Sequence, residues 1–170
     1  LNGWEGEGSY GVDEMPVSGR SVFYTEDSTK QSATLYQAVT LPDGSAGKYL
    51  LVLGYSWVEG VDGATPRYPL LRLQARNAEG KTVALESESL IHAGDGGTWL
   101  PLSALFQVEK GAVGIDFYLS QAAGAKEPAD QNRATFDDLE LLIFEDSADA
   151  EQYRKQYLED HPKELEETKQ

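Results

Sequence analysis

Apolar and polar residues alternate with a period of two along most of this chain. The longest run spans 134–144, where Leu139, Leu141 and Ile143 fall on one side and Phe136, Leu142 and Phe144 on the other. Two apolar sides predict a central strand, covered on one face by an opposing sheet and at its end by another element. Residues 48–57 are almost continuously apolar and predict a second central strand. In 34–41, Leu35, Val39 and Leu41 point to a core. Gln37 shares their side and therefore needs a hydrogen-bond partner in a neighbouring loop. In 112–119, Val113, Ile115, Phe117 and Leu119 make one clean apolar face. Residues 20–25 form a shorter strand. Residues 68–76 and 82–85 form a hairpin whose turn, Asn77-Ala78-Glu79-Gly80, puts glycine where φ must be positive. Pro101 predicts a break, so 99–102 and 106–108 read as a kinked strand pair.

About eight strands with turn signals every ~10 residues are the pattern of a sandwich or barrel. The opening residues are too rich in glycine for a helix. They predict a short edge strand around Trp4, with the indole plugging one end of the core. Residues 147–170 change character. Ser147 can cap a helix, and Asp149 and Glu151 suit the positive end of its dipole. Ala150, Tyr153 and Tyr157 share a stripe that can dock on the sandwich, and His161-Pro162 interrupts it. The expected organisation is a sandwich over 1–145 and a helix with a charged tail over 146–170.

Composition narrows the function. The formal net charge is -15 over 170 residues, without clustered Lys and Arg, which excludes a nucleic-acid binder and disfavours an anionic membrane surface. Acidity does favour solubility and cations such as Ca²⁺. With no cysteine, disulfides and thiolate metal sites are ruled out. No stretch is long and apolar enough to span a membrane, and none resembles a signal peptide. The chain begins without Met and is expected to be a mature or excised piece, with room for a signal or anchor upstream.

Enzymatic chemistry has little to stand on. There is no phosphate cradle, no metalloprotease His-Glu-x-x-His and no nucleophile elbow. His92 with Asp95 could suggest a base and its orienter, but nothing beside them supplies a nucleophile. Asp137 and Asp138 are adjacent on a strand and point to opposite faces, whereas glycoside hydrolysis needs two acids across a cleft. The expected answer is non-catalytic.

Four pieces of the chain carry a family likeness: Gly3-Trp4-Glu5 before a Gly19-Arg20 pair; Leu35-Tyr36-Gln37-Ala38-Val39 followed by Gly47-Lys48-Tyr49; Trp99 to Phe106; and Phe136-Asp137-Asp138-Leu139-Glu140-Leu141. In this order they resemble the galactose-binding-domain-like jelly rolls, a superfamily with many carbohydrate-binding modules of secreted glycosidases. The resemblance implies an all-β, two-sheet antiparallel jelly-roll β-sandwich with a short C-terminal α-helical appendage. It also implies a structural Ca²⁺ between the first and last strands, which would fall on Glu5 or Glu7 and Asp137 or Asp138. The same acid pair could instead accept backbone amides and face water. Sugar-binding members use the concave sheet face or the loops at one end. On this chain the best ligand patch is Trp57, Tyr55, Arg67, Tyr68, Glu59 and Asp62, around the 59–66 loop. Trp57 and Tyr55 could equally pack against the C-terminal helix or a nearby loop, and Trp99 reads as core.

The expected function is a non-catalytic extracellular carbohydrate-binding module. It would be secreted or at the cell surface, with a glycan or other domains of a larger secreted protein as partner. The alternative is a structural or adhesion module of a cell envelope with no small ligand.

Overall fold

A computed structural model describes residues 4–7, 9–13, 22–26, 33–59, 69–89, 99–121 and 133–161. Ten strands and one helix follow in chain order: β1 (Glu5–Glu7), β2 (Ser9–Asp13), β3 (Val22–Glu26), β4 (Ala33–Thr40), β5 (Tyr49–Glu59), β6 (Pro69–Arg76), β7 (Thr82–Ser89), β8 (Leu100–Gln107), β9 (Gly114–Gln121), β10 (Arg133–Phe144) and α1 (Ser147–Asp160). The strands form two five-stranded antiparallel sheets, β1-β4-β9-β6-β7 and β2-β3-β10-β5-β8. The chain is an all-β jelly-roll sandwich with a C-terminal helix.

The alternation read in the sequence builds the core. Leu35, Leu71, Leu73, Ile115, Phe117 and Leu119 of the first sheet meet Leu50, Val52, Leu102, Ala104, Phe106 and Phe136 of the second. Each fully buried leucine is worth roughly 1.5–3 kcal/mol over an exposed one. Trp4 closes one end, its ring edge-on to Phe117 at 6.0 Å. Val113 departs from expectation. It precedes β9 and is exposed, so the apolar face of that strand starts at Ile115.

β10 is central, between β3 and β5, but its two faces differ from the alternation. Its register with β5 shifts between Asp137 and Glu140, and Asp138 sits there at φ 49°. This bulge adds one residue, so Phe136 rejoins Leu139, Leu141 and Ile143 on the core side instead of siding with Leu142 and Phe144. Gly54 of β5 lies across the bulge. A Cβ there would come within 2.9 Å of both the Asp137 carbonyl oxygen and Leu139 Cδ2.

Pro101 does not break its strand. β8 runs unbroken through it because, among the described residues, β8 is an edge strand bonded to β5 alone, where a missing N–H costs no ladder bond on the open side. Helix α1 is capped one residue earlier than expected. Asp146 Oδ1 accepts the N–H groups of Ala148 and Asp149 at 2.9 and 3.0 Å. The helix ends at Asp160, and the His161 N–H closes it on the Tyr157 carbonyl at 3.1 Å.

Candidate functional site

A sandwich offers two broad outer faces, and the chain treats them differently. On the second sheet, Leu50 and Val52 enter the core, so Leu51, Leu53, Tyr55 and Trp57 of β5 face outward. Leu51 and Leu53 are nonetheless buried, at 0% and 1% exposure. Helix α1 covers them. Ala150 is fully buried against the sheet. Arg154 Nε donates to Ser103 Oγ at 2.9 Å, and its Nη2 to the Ser103 carbonyl at 3.3 Å. Tyr153 packs on Phe144 with ring centroids 5.5 Å apart. The Tyr157 hydroxyl donates to the Gly54 carbonyl at 2.9 Å.

The expected ligand patch is divided by this arrangement. Tyr55 turns to the helix, with Tyr157 at 6.5 Å and His161 edge-on at 5.9 Å. Burial pushes the phenol pKa of Tyr55 up; its side-chain interaction with Tyr157 works against the rise, and the Asp138 charge adds to it. Burial raises Tyr157 further, and the neighbouring Tyr55 adds to the rise. Trp57 stands edge-on to the buried Trp99 at 5.6 Å, and its Nε1 is buried with no acceptor among the described residues. Glu59 is the last residue of β5, opposite Arg133, and its side chain is outside the described set. Asp62, Arg67 and Tyr68 lie outside the described residues, as do His92 and Asp95.

The expected calcium ligands are separated too. Glu5 is on β1, at the edge of the first sheet, where its carboxylate accepts the Tyr36 hydroxyl. Asp137 is on β10 of the second sheet, opposite Tyr55, 1% exposed, with Oδ1 accepting the Asp138 N–H at 2.8 Å. Asp138 occupies the bulge beside it. Glu7 belongs to β1 with Glu5, and its side chain is not described. Ca²⁺ takes six to eight oxygens converging on one point. Glu5 and Asp137 belong to different sheets, and the Glu7 side chain lies outside the described set. Among the described residues no group of three or more His, Cys, Asp or Glu is placed to hold a metal.

The outer face of the first sheet is organised differently. Leu35, Leu119 and Leu71 are in register across β4, β9 and β6, all fully buried. Their neighbours Tyr36, Tyr118 and Arg72 are therefore in register on the outside, and Glu5 of β1 extends the row beyond Tyr36. The order across the sheet is carboxylate, phenol, phenol, guanidinium. At the usual strand spacing this row is about 14 Å long from Cα to Cα. The Tyr36 and Tyr118 rings are 5.5 Å apart and tilted by 32°. The Arg72 guanidinium covers the far side of Tyr118, 4.3 Å from the ring centroid. Each group holds the next, so hydroxyls and ring edges face outward in a fixed array. One step along the strands, Arg76 Nε approaches Asp116 Oδ2 at 2.9 Å, off the N–H direction, and Gln74 donates to Thr82 Oγ1 at 2.8 Å.

Three of these residues carried a signal in the sequence. Tyr36, Tyr118 and Arg72 each sit beside core leucines in an alternating strand, which points them outward. The strand order that aligns them is not local to any of the three.

No protein-family model matches the sequence, and a search of curated proteins returns no relative. Solved structures do match. The CBM22-1 xylan-binding domain of Paenibacillus barcinonensis Xyn10C superimposes with TM-score 0.55 at 16% identity, over 85% of this chain and 88% of that one. The fold is that of β-sandwich carbohydrate-binding modules. The CBM22-1–GH10 modules of Clostridium thermocellum Xyn10B, solved with xylohexaose, match with TM-score 0.56 at 16% identity over 82% of this chain. The enzymatically active domain of bacteriophage CBA120 tailspike protein 4 matches with TM-score 0.59 at 14% identity over 84% of this chain. This chain spans 26% of the Clostridium protein's length and 19% of the tailspike's.

Proposed function

We propose that this chain is a non-catalytic carbohydrate-binding module that takes a glycan on the outer face of the first sheet, along Glu5, Tyr36, Tyr118 and Arg72. The observation that carries it is the in-register row of two phenols between a carboxylate and a guanidinium. A polyhydroxylated ligand needs donors and acceptors at fixed spacing with apolar surface between them. This row supplies both from four adjacent strands, and rigid strands hold such groups better than loops do. On the opposite outer face, α1 packs on β5, β8 and β10. The module acts as one part of a larger secreted or surface protein. That reading is supported by matches in which the same fold makes up a minor fraction of a longer chain.

A glycan microarray probed with the folded chain, with Tyr36→Ala and with Tyr118→Ala tests the proposal. Binding that both substitutions remove, with the melting transition retained, supports it. Retained binding in both variants contradicts it.

A second reading is a structural module without a small ligand, one piece of a longer chain as in the tailspike match, where this chain corresponds to 19% of the solved chain. An array without binding, together with self-association through the α1 face, would favour that reading.

A further inference from the structure

The chain is strongly acidic, and most cations with a described setting sit against a carboxylate. Lys48 Nζ is 2.6 Å from Glu145, Arg76 is paired with Asp116, and Arg154 and Lys155 lie 3.7 Å from Glu151 and Glu159. Arg72 is treated otherwise. It shares β6 and the outer face with Arg76, four residues on, but no carboxylate meets it among the described residues. It lies on the Tyr118 ring instead, with Nε buried and without an acceptor among the described residues. The ring fixes the plane of the guanidinium and screens one face of it from water. A planar, half-buried guanidinium with no carboxylate among the described residues, at the end of a hydroxyl-lined row, matches a planar anion arriving from outside. Its two-pronged geometry suits a carboxylate.

We propose that the ligand of this face is an acidic glycan, a polysaccharide carrying uronate sugars, whose carboxylate is taken by the Arg72 guanidinium. This rests on the sheet-face reading and adds the chemical class of the sugar. The row has a polarity that suits it. Glu5 at the far end repels a second carboxylate and accepts sugar hydroxyls, while Arg72 takes the charged group, so the ligand has one orientation across the strands. Diffuse attraction of polyanions does not explain such a preference, because the protein's net charge of -15 opposes it.

The test uses matched pairs: polygalacturonate, alginate and glucuronoxylan, each beside the same polymer with its carboxylates reduced to alcohols. Affinity electrophoresis of the full chain gives the native-to-reduced affinity ratio for each pair. At least one pair should favour the native polymer by about tenfold, the scale of one charge-assisted hydrogen bond. Arg72→Leu should bring that ratio to one. Arg72→Lys, which keeps the charge without the planar fork, should lower it without abolishing it and serves where the leucine variant fails to fold. A ratio of one in the unsubstituted chain for every polymer bound, or a ratio that survives Arg72→Leu, overturns the carboxylate assignment and leaves the sheet-face reading intact. Absence of binding to any native or reduced polymer, and to every glycan on a neutral array, overturns both.

Discussion

The Tyr157 hydroxyl donates to the Gly54 carbonyl oxygen at 2.9 Å, joining residues 103 apart in sequence. This bond ties the last turn of α1 to the strand that carries Tyr55 and Trp57. Tyr157→Phe removes it and leaves a part-buried carbonyl without that donor. The expected cost is about 1 kcal/mol in urea unfolding, at the level of a single neutral hydrogen bond.

The same tyrosine gives the protein a pH dependence. Burial raises the Tyr157 pKa above the ordinary phenol value, and Tyr55 is raised in the same direction. Below about pH 10 the phenols are protonated in both folded and unfolded chains, and their contribution is intact. Above it, the unfolded chain releases protons that the folded chain still holds, so stability falls as pH rises. The urea midpoint should decline from about pH 10 upward, more steeply in the unsubstituted protein than in Tyr157→Phe. Equal slopes would show that this phenol is not the group responsible.

Gly54→Ala drives a methyl group to within 2.9 Å of a backbone oxygen in the neighbouring strand, an atom that cannot swing aside. The strand pair must separate at the bulge. A loss of about 2 kcal/mol or more is expected, read as a fall of roughly 5 °C in melting temperature. A melting temperature equal to that of the unsubstituted chain would mean that β5 and β10 are not this close.

Adding Ca²⁺ or a chelator should leave the melting temperature unchanged. The carboxylates offered to the ion are divided between opposite sheets, and those of Glu5 and Asp137 are already engaged with Tyr36 and the Asp138 amide. Binding to the native state alone at a hundredfold excess over its dissociation constant would stabilise by about 2.7 kcal/mol. A shift of that size would show that the folded chain binds the ion and would contradict this expectation.

The sequence was most readable where burial alone decides. Leu35, Ile115, Phe117 and Leu119 went to the core because a period of two leaves no other arrangement for apolar side chains in a half-buried sheet. Phe136 was misread because alternation assumes no bulge. Asp138 and Gly54 permit one together, and they belong to strands far apart in the chain. Pro101 was misread because its effect depends on whether the strand has one neighbour or two, which is a property of the sheet. The surroundings of the expected ligand patch were hard to read for the same reason. Tyr55 looked available because nothing local says that the end of α1 packs on it, and Trp57 because nothing local places Trp99 against it. Tyr36, Tyr118 and Arg72 each pointed outward in the pattern, yet only the order β1-β4-β9-β6 makes them one row with Glu5.

The decisive measurement is a pair of titrations with the best glycan from the array, one of Tyr118→Ala and one of Trp57→Ala, each beside the unsubstituted chain. Tyr118 stands in the open row of the first sheet, while Trp57 lies on the second, against Trp99. Binding should be lost, by at least about tenfold, in Tyr118→Ala and kept in Trp57→Ala. Loss in Trp57→Ala with binding intact in Tyr118→Ala would put the ligand on the other side of the sandwich and contradict the account.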